Sequence, residues 1–282
     1  MMNTHVASLV EADYDRVGQY DQDTVNGFSN DLLDGMIHLV NPTRGSVILD
    51  AMAGNGNLTC RLYTYCRNNG IATPDVVLLE FSHVQCEFAS KQLAHFPAKV
   101  VWGDILTMED FDTGQTIPDH TFDRVMLKSG NHEISREKQA VLYENIFRVL
   151  QPGGLFVNLG FLFDDRAERD QFRQLTRFKD RMAGLQSAVH NRHFLMRDEL
   201  YTWLQQAGFV DVRCGMHLHY SILSGVAAHA YFPSDAWEDF HAELQAQQAK
   251  AMILRRKGRI HFHGDSSMMT CPGEITVARR PA

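Results

Sequence analysis

Three acidic residues close three short apolar runs. Asp50 ends Ser46-Val47-Ile48-Leu49-Asp50, Glu80 ends Asp75-Val76-Val77-Leu78-Leu79-Glu80, and Asp104 ends Lys99-Val100-Val101-Trp102-Gly103-Asp104. An ionised carboxylate only accepts hydrogen bonds, so such groups suit a ligand rich in hydroxyl and amino donors. After Asp50 the chain reads Ala51-Met52-Ala53-Gly54-Asn55-Gly56-Asn57-Leu58-Thr59 and then turns helical. Gly54 and Gly56 permit tight turns and close approach of a ligand to the backbone, and the helix start behind them offers free N–H groups. Glu80 can accept from both hydroxyls of a ribose, and Asp104 can accept from the amino group of an adenine. Each feature has a plainer alternative: a strand-to-helix turn, a solvated strand end and a helix N-cap. Three acidic ends on three consecutive strands point together to a nucleoside.

The turn narrows the choice of nucleoside. A dinucleotide fingerprint wants G-x-G-x-x-G, with its third glycine where helix and strand pack against a pyrophosphate. Counted from Gly54, that place is Thr59, and no Lys or Arg lies between Asp50 and Thr59. The chain has no G-x-x-x-x-G-K-[ST] phosphate loop either. An acidic turn suits a cationic or zwitterionic ligand better than a diphosphate.

A second group follows the run Phe122 to Lys128: Ser129-Gly130-Asn131-His132-Glu133. His132 is the first candidate for a general base, because an ordinary imidazole titrates near neutrality; Glu133 is the second. The competing role for His132 is to cap or orient the loop. His217 and His219 alternate with Met216, Leu218 and Tyr220 in a late strand and so share one face. They line a pocket, pair weakly on a metal, or stand in solvent. No thiolate or carboxylate lies at useful spacing, and catalytic zinc takes three protein ligands, so no metal is expected. Arg255-Arg256-Lys257 with Arg259 is the most basic cluster; it grips an acidic group on a substrate or is a solvated helix end, and the second reading is favoured.

The elements that must position these groups alternate strand and helix, the pattern of a parallel sheet covered by helices. Strands are predicted at 46–50, 75–80, 99–104, 122–128, 155–160, 210–220 and 274–279. Helices are predicted at 57–66, 82–95, 136–150, 164–184, 197–207 and 235–257, the third stopped by Pro152-Gly153-Gly154. The first 44 residues also read as helical. The expected organisation is one core over 45–282, a helical leader over 1–44, and insertions at about 161–196 and 221–272. Leader and insertions emerge near one sheet edge and are expected to form a helical lid. Phe161, Phe163, Phe172, Tyr231, Phe232, Trp237 and Phe240 either line the pocket beneath it or pack the lid's own core.

Composition bounds the partners. The 282 residues are 44% hydrophobic and 22% charged, ordinary for a globular chain. With 27 Lys and Arg against 34 Asp and Glu the net charge is −7, so a nucleic-acid partner is not expected. No apolar run has a spanning length of about 18 residues, and the first residues lack the basic start and apolar centre of a secretory signal. The five cysteines are scattered without C-x-x-C spacing, which fits a reducing, cytoplasmic setting. Oligomeric state is not legible.

At this point the sequence resembles the class I S-adenosylmethionine-dependent methyltransferases. The resemblance rests on Leu49-Asp50-x-x-x-Gly54-x-Gly56, Glu80, Gly103-Asp104, Phe122-Asp123-Arg124-Val125-Met126-Leu127 and Leu150-Gln151-Pro152-Gly153-Gly154, and it covers about residues 45–160. Ala51-Met52-Ala53 departs from the Gly- or Cys-containing run of many relatives. The resemblance implies an α/β fold: a Rossmann-like, seven-stranded, mostly parallel sheet with helices on both faces and a helical lid at the carboxyl edge. It implies S-adenosylmethionine as cofactor, with Asp50, Ala51, Gly54 and Gly56 beside its methionine part, Glu80 on the ribose and Phe81 against the adenine. Asp104 and Ile105 contact the adenine from the other side; Lys128, Ser129 and Gly130 border cofactor and acceptor. Tyr14 and Tyr20 lie in the leader that folds over the cofactor in such enzymes, or pack as core aromatics. The expected activity is methyl transfer to an O, N or C atom of a small organic molecule, plausibly in secondary metabolism. The alternatives are a protein or RNA acceptor, and cofactor binding without turnover.

Overall fold

A computed structural model describes residues 28–224, 237–264 and 266–282. Its central sheet contains five parallel strands: β1 (Val47–Ala51), β2 (Asp75–Glu80), β3 (Ala98–Asp104), β6 (Phe122–Lys128) and β7 (Leu150–Phe163), in the order β3-β2-β1-β6-β7. Beyond β7 the sheet turns antiparallel, with β11 (Ser266–Arg279) against β7 and β9 (Val210–Leu223) against β11. The strand order reverses between β1 and β6. Ligands of open α/β sheets sit outside the carboxyl ends of the strands at such a switch point, which is where Asp50 and Lys128 end up.

The parallel strands are buried on both faces, and their side chains alternate between two cores. Ile48, Val76, Leu78, Met126, Val157 and Leu159 face helices α1 (Asn30–Val40), α2 (Asn57–Asn68) and α3 (His83–Gln92). Leu49, Leu79, Val125, Leu127 and Phe156 face α4 (Gln139–Val149) and α7 (Arg197–Gln206). Ser29 caps α1 by accepting from Leu32 N, and Asp165 caps α5 (Arg166–Met182) by accepting from Ala167 N and Glu168 N.

The sheet has eleven strands among the described residues rather than seven. The additional ones are β4 (Glu109–Asp110), β5 (Gln115–Thr116), β8 (Leu195–Met196) and β10 (Ile260–His263). Two-residue strands carry no readable alternation, and β10 exists only through its hairpin with β11. The same hairpin corrects the helical reading of 221–272. Helices α8 (Trp237–Lys250) and α9 (Met252–Arg256) occupy part of it, but β9 reaches Leu223 and 260–263 and 266–272 extend the sheet. Met269 and Cys271 are buried there, and such apolar residues are better covered by neighbouring strands than by a helix of their own.

The helical additions pack on one another. Helices α6 (Gln186–Asn191), α8 and α9 lie against α5, and Leu254 N donates to Gln171 Oε1 at 2.9 Å. Within the basic cluster, Lys257 Nζ lies 2.8 Å and Arg259 Nε 2.6 Å from the carboxylate of buried Glu168. These two cations therefore hold α9 and its following turn to α5 instead of standing free in solvent. Phe240 packs its ring on Phe178, 6.5 Å between centroids, within the additions' own core.

Candidate active site

The loop after β1 carries Asp50, Gly54 and Gly56 to the carboxyl edge. Asp50 is buried and accepts from Thr59 Oγ1 at 2.7 Å, which fixes its carboxylate against the first turn of α2. A carboxylate is favoured there by the helix dipole. Gly56 caps α2 with φ +84°, and a Cβ added to it would lie 3.1–3.3 Å from Leu93, Leu78 and Ala89. Gly54 also has positive φ, but a Cβ there would meet nothing within 4 Å. One glycine serves packing, and the other leaves open space beside the backbone.

Glu80 is buried at the end of β2, and each of its oxygens takes a backbone donor: Gly54 N on Oε2 at 2.8 Å and Ser82 N on Oε1 at 2.8 Å. These bonds tie the β1 loop to the β2 loop and aim the carboxylate. Phe81 meets Phe111 edge-on at 5.6 Å, and Trp102 Nε1 donates to the Phe81 carbonyl at 2.9 Å. Phe81, Trp102 and Phe111 thus make an aromatic wall next to Asp104. Asp104 accepts on Oδ1 from Leu106 N at 2.8 Å, and burial pushes its carboxyl above the ordinary value. Ile105 is buried behind it. Gly103 allows the close turn, since a Cβ there would lie 2.1 Å from the Glu109 carbonyl oxygen.

The loop after β6 closes against the loop after β1. A Cβ on Gly130 would lie 2.8 Å from Met52 Sδ, and both Met52 and Ser129 take left-handed backbone, each with φ 56°. Such strain in non-glycine residues gathers at functional sites. Ser129 Oγ lies 3.1 Å from Tyr220 Oη, and Lys128 Nζ lies 5.8 Å from the centre of the Phe28 ring. His132 follows in a short 3₁₀ turn, Asn131–Glu133. Its ring stacks on Phe194 at 5.4 Å and meets Phe161 edge-on at 5.1 Å. Its Nδ1 is buried without a hydrogen-bond partner. Burial, with help from Arg192 and Lys179, drives its pKa well below 6.5, so the ring is neutral.

That neutrality makes the fold acid-sensitive. An unfolded imidazole binds its proton near pH 6.5; folded His132 does not until much lower. Below about pH 6.5 the unfolded chain therefore binds more protons, and stability falls with pH. His193, also shifted downward mainly by burial, adds to the effect. We expect Tm to fall more steeply between pH 6.5 and 5.5 in the wild type than in His132→Phe, which keeps the aromatic stack. Parallel slopes by circular dichroism would contradict this.

The structure thus brings together Asp50, Ala51, Gly54, Gly56, Glu80, Phe81, Asp104, Ile105, Lys128, Ser129, His132 and Glu133 along the carboxyl edge of β1, β2, β3 and β6. Tyr14, Tyr20, Tyr231 and Phe232 lie outside the described residues. His217 and His219 share a face of β9, opposite Glu274 and Pro272 of β11, and they are exposed while Leu218 and Tyr220 are buried. Sequence reasoning missed Met52, Trp102, Phe111, Phe194 and Tyr220. Only Trp102, beside Gly103-Asp104, carried a local signal.

Residues 48–154 match the family model of the methyltransferase domain. The YcgJ protein from Bacillus subtilis is similar in fold, with a TM-score of 0.68 at 14% identity over 89% of this chain and 98% of that one. A Haemonchus contortus phosphoethanolamine N-methyltransferase, solved with phosphomonomethylethanolamine and S-adenosylhomocysteine, gives 0.58 at 13% identity over 100% of this chain and 59% of that one. The [4+2]-cyclase SpnF gives 0.57 at 15% identity over 99% of this chain and 94% of that one. None of the curated proteins matches. Residues 48–154 thus carry a methyltransferase domain, and the chain as a whole has the Rossmann-like α/β fold of these structures. Among the described residues no helix is long and apolar enough to cross a membrane.

Proposed function

We propose that the chain is an S-adenosylmethionine-dependent methyltransferase, that it acts on a small, largely apolar organic molecule at the carboxyl edge, and that His132 takes the acceptor's proton. The observation that carries the acceptor class is the aromatic packing around His132. Phe161 stacks on Tyr220 at 3.7 Å and meets Phe172 and Phe194, each at 5.4 Å. These rings belong to the packed core beneath the loop that carries His132, and an acceptor approaching such an apolar base is better a small molecule than the charged surface of a polymer. The net charge of −7 points the same way.

The residues fit the cofactor. Glu80 is pre-aimed by two backbone N–H groups, Gly54 leaves room that a side chain would take, and Asp104 has an oxygen beyond the one held by Leu106. In this reading Glu80 holds the ribose, while Asp104 and Ile105 hold the adenine beside the Phe81 wall. Asp50, Ala51, Gly54 and Gly56 hold the methionine end. Lys128 and Ser129 border cofactor and acceptor. When bound, S-adenosylmethionine supplies a methyl group activated by a positively charged sulfur. The protein aligns the acceptor, excludes water and removes one proton. His132 is suited to the last task, since its ring is neutral and held by two aromatic contacts, with Nδ1 committed to no other group. Glu133 is the second candidate. The setting is cytoplasmic and the role one in secondary metabolism.

Incubation with methyl-labelled cofactor and fractionated cell extract tests the acceptor class. Label is expected in the small-metabolite fraction. Label in peptide or RNA overturns the proposed acceptor, and label in none, with cofactor bound, overturns turnover itself.

A further inference from the structure

The late histidines acquire partners that chain order hides. β9 runs antiparallel to β11 in a register that sets His217 opposite Glu274 and Cys214 opposite Thr276. A register shift between Ile275 and Thr276 leaves Gly215 as an extra residue in β9. Without that bulge, residues 214 and 217 would face opposite sides of the sheet. With it, the Cys214 thiol, the His217 imidazole and the Glu274 carboxylate offer three ligand atoms within 4.8 Å of one another.

We propose that Cys214, His217 and Glu274 form a binding site for a divalent cation of the Zn²⁺ type, separate from the methyl-transfer site. Tetrahedral zinc ligands stand about 3.3–3.8 Å apart, given bonds of about 2.0–2.3 Å. The triad therefore needs only a small contraction, and the exposed side chain of His217 is free to make it. Glu274 is already oriented: buried at 1% exposure, it accepts on Oε1 from Tyr201 Oη and Thr276 Oγ1, both at 2.8 Å. Hydrogen bonds of this kind characterise carboxylates that bind metals. Its Oε2 faces His217 Nδ1 at 4.0 Å and contacts Arg197. Arg197 also forks onto Asp164, with Nε–Oδ1 at 2.8 Å and Nη2–Oδ2 at 3.1 Å. On binding, the Cys214 thiol loses its proton to solvent. The three negative groups, Cys214, Glu274 and Asp164, then balance the divalent ion and Arg197. Without an ion, Arg197 is the cation at Glu274 Oε2. Thiolate, imidazole and carboxylate together suit zinc and disfavour magnesium or calcium. The fourth position is left for water, and the ion would clamp the bulged part of β9 to β11.

Titration of metal-free protein with Co²⁺, followed by optical absorption, tests the site. A thiolate-to-cobalt charge-transfer band is expected at one equivalent, displaced by Zn²⁺ and untouched by Mg²⁺. Cys214→Ser should abolish it. His217→Ala, at an exposed position that leaves folding intact, should weaken Co²⁺ binding at least about tenfold. Absence of the band, or a band unchanged in both variants, would overturn the proposal. Arg197→Gln should tighten Zn²⁺ binding; weaker binding would contradict its role as the competing cation.

Discussion

Glu80→Ala is expected to weaken S-adenosylmethionine and S-adenosylhomocysteine alike by about a hundredfold or more. Charge-assisted hydrogen bonds contribute about 1.5–3 kcal/mol each, and two ribose hydroxyls on one carboxylate make a loss of about 3 kcal/mol reasonable. The substitution also releases Gly54 N and Ser82 N, whose bonds to Glu80 tie the β1 and β2 loops together. Glu80→Gln separates the two effects. It keeps one acceptor oxygen and nearly the same shape, so it should fall between wild type and Glu80→Ala. Calorimetry with both nucleosides reads the result. Unchanged affinity in Glu80→Ala would remove the ribose role.

The second large effect falls on turnover. His132→Phe preserves the contacts with Phe161 and Phe194 but removes the proton acceptor. Loss of a general base lowers rates by about 10²–10⁴-fold. We expect a fall in kcat of that order, with cofactor affinity within about twofold of wild type. Because burial holds the imidazole well below its ordinary pKa, the acidic limb of the wild-type rate profile should lie below pH 6.5. Full turnover in His132→Phe would move the base to Glu133, for which Glu133→Gln is the matching variant, or show that the reaction needs none.

How much of this was legible in the chain differs from element to element. The run Phe122–Lys128 is a strand from end to end as read, and β1 and β2 shift by a residue or less. Strands buried on both faces announce themselves as continuous apolar runs. The places of Asp50, Glu80 and Asp104 at or next to the ends of the first three strands were legible for a related reason: each sits beside its own apolar run. The aromatic surroundings of His132 were not. Phe161, Phe194 and Tyr220 come from β7, from the stretch before β8 and from β9, and only the fold brings them together. Likewise nothing in chain order pairs His217 with Glu274, 57 positions later, or shows the bulge that turns Cys214 toward them. The extra strands failed for the opposite reason, being too short to carry a period.

A crystal structure with S-adenosylhomocysteine tests the central claim most directly. The account predicts the ribose hydroxyls on the Glu80 carboxylate, the adenine between the Phe81 wall and Ile105 with its amino group toward Asp104, and the sulfur pointing toward the loop that carries His132. A nucleoside bound elsewhere, or a nicotinamide dinucleotide held at this edge in its place, would contradict it.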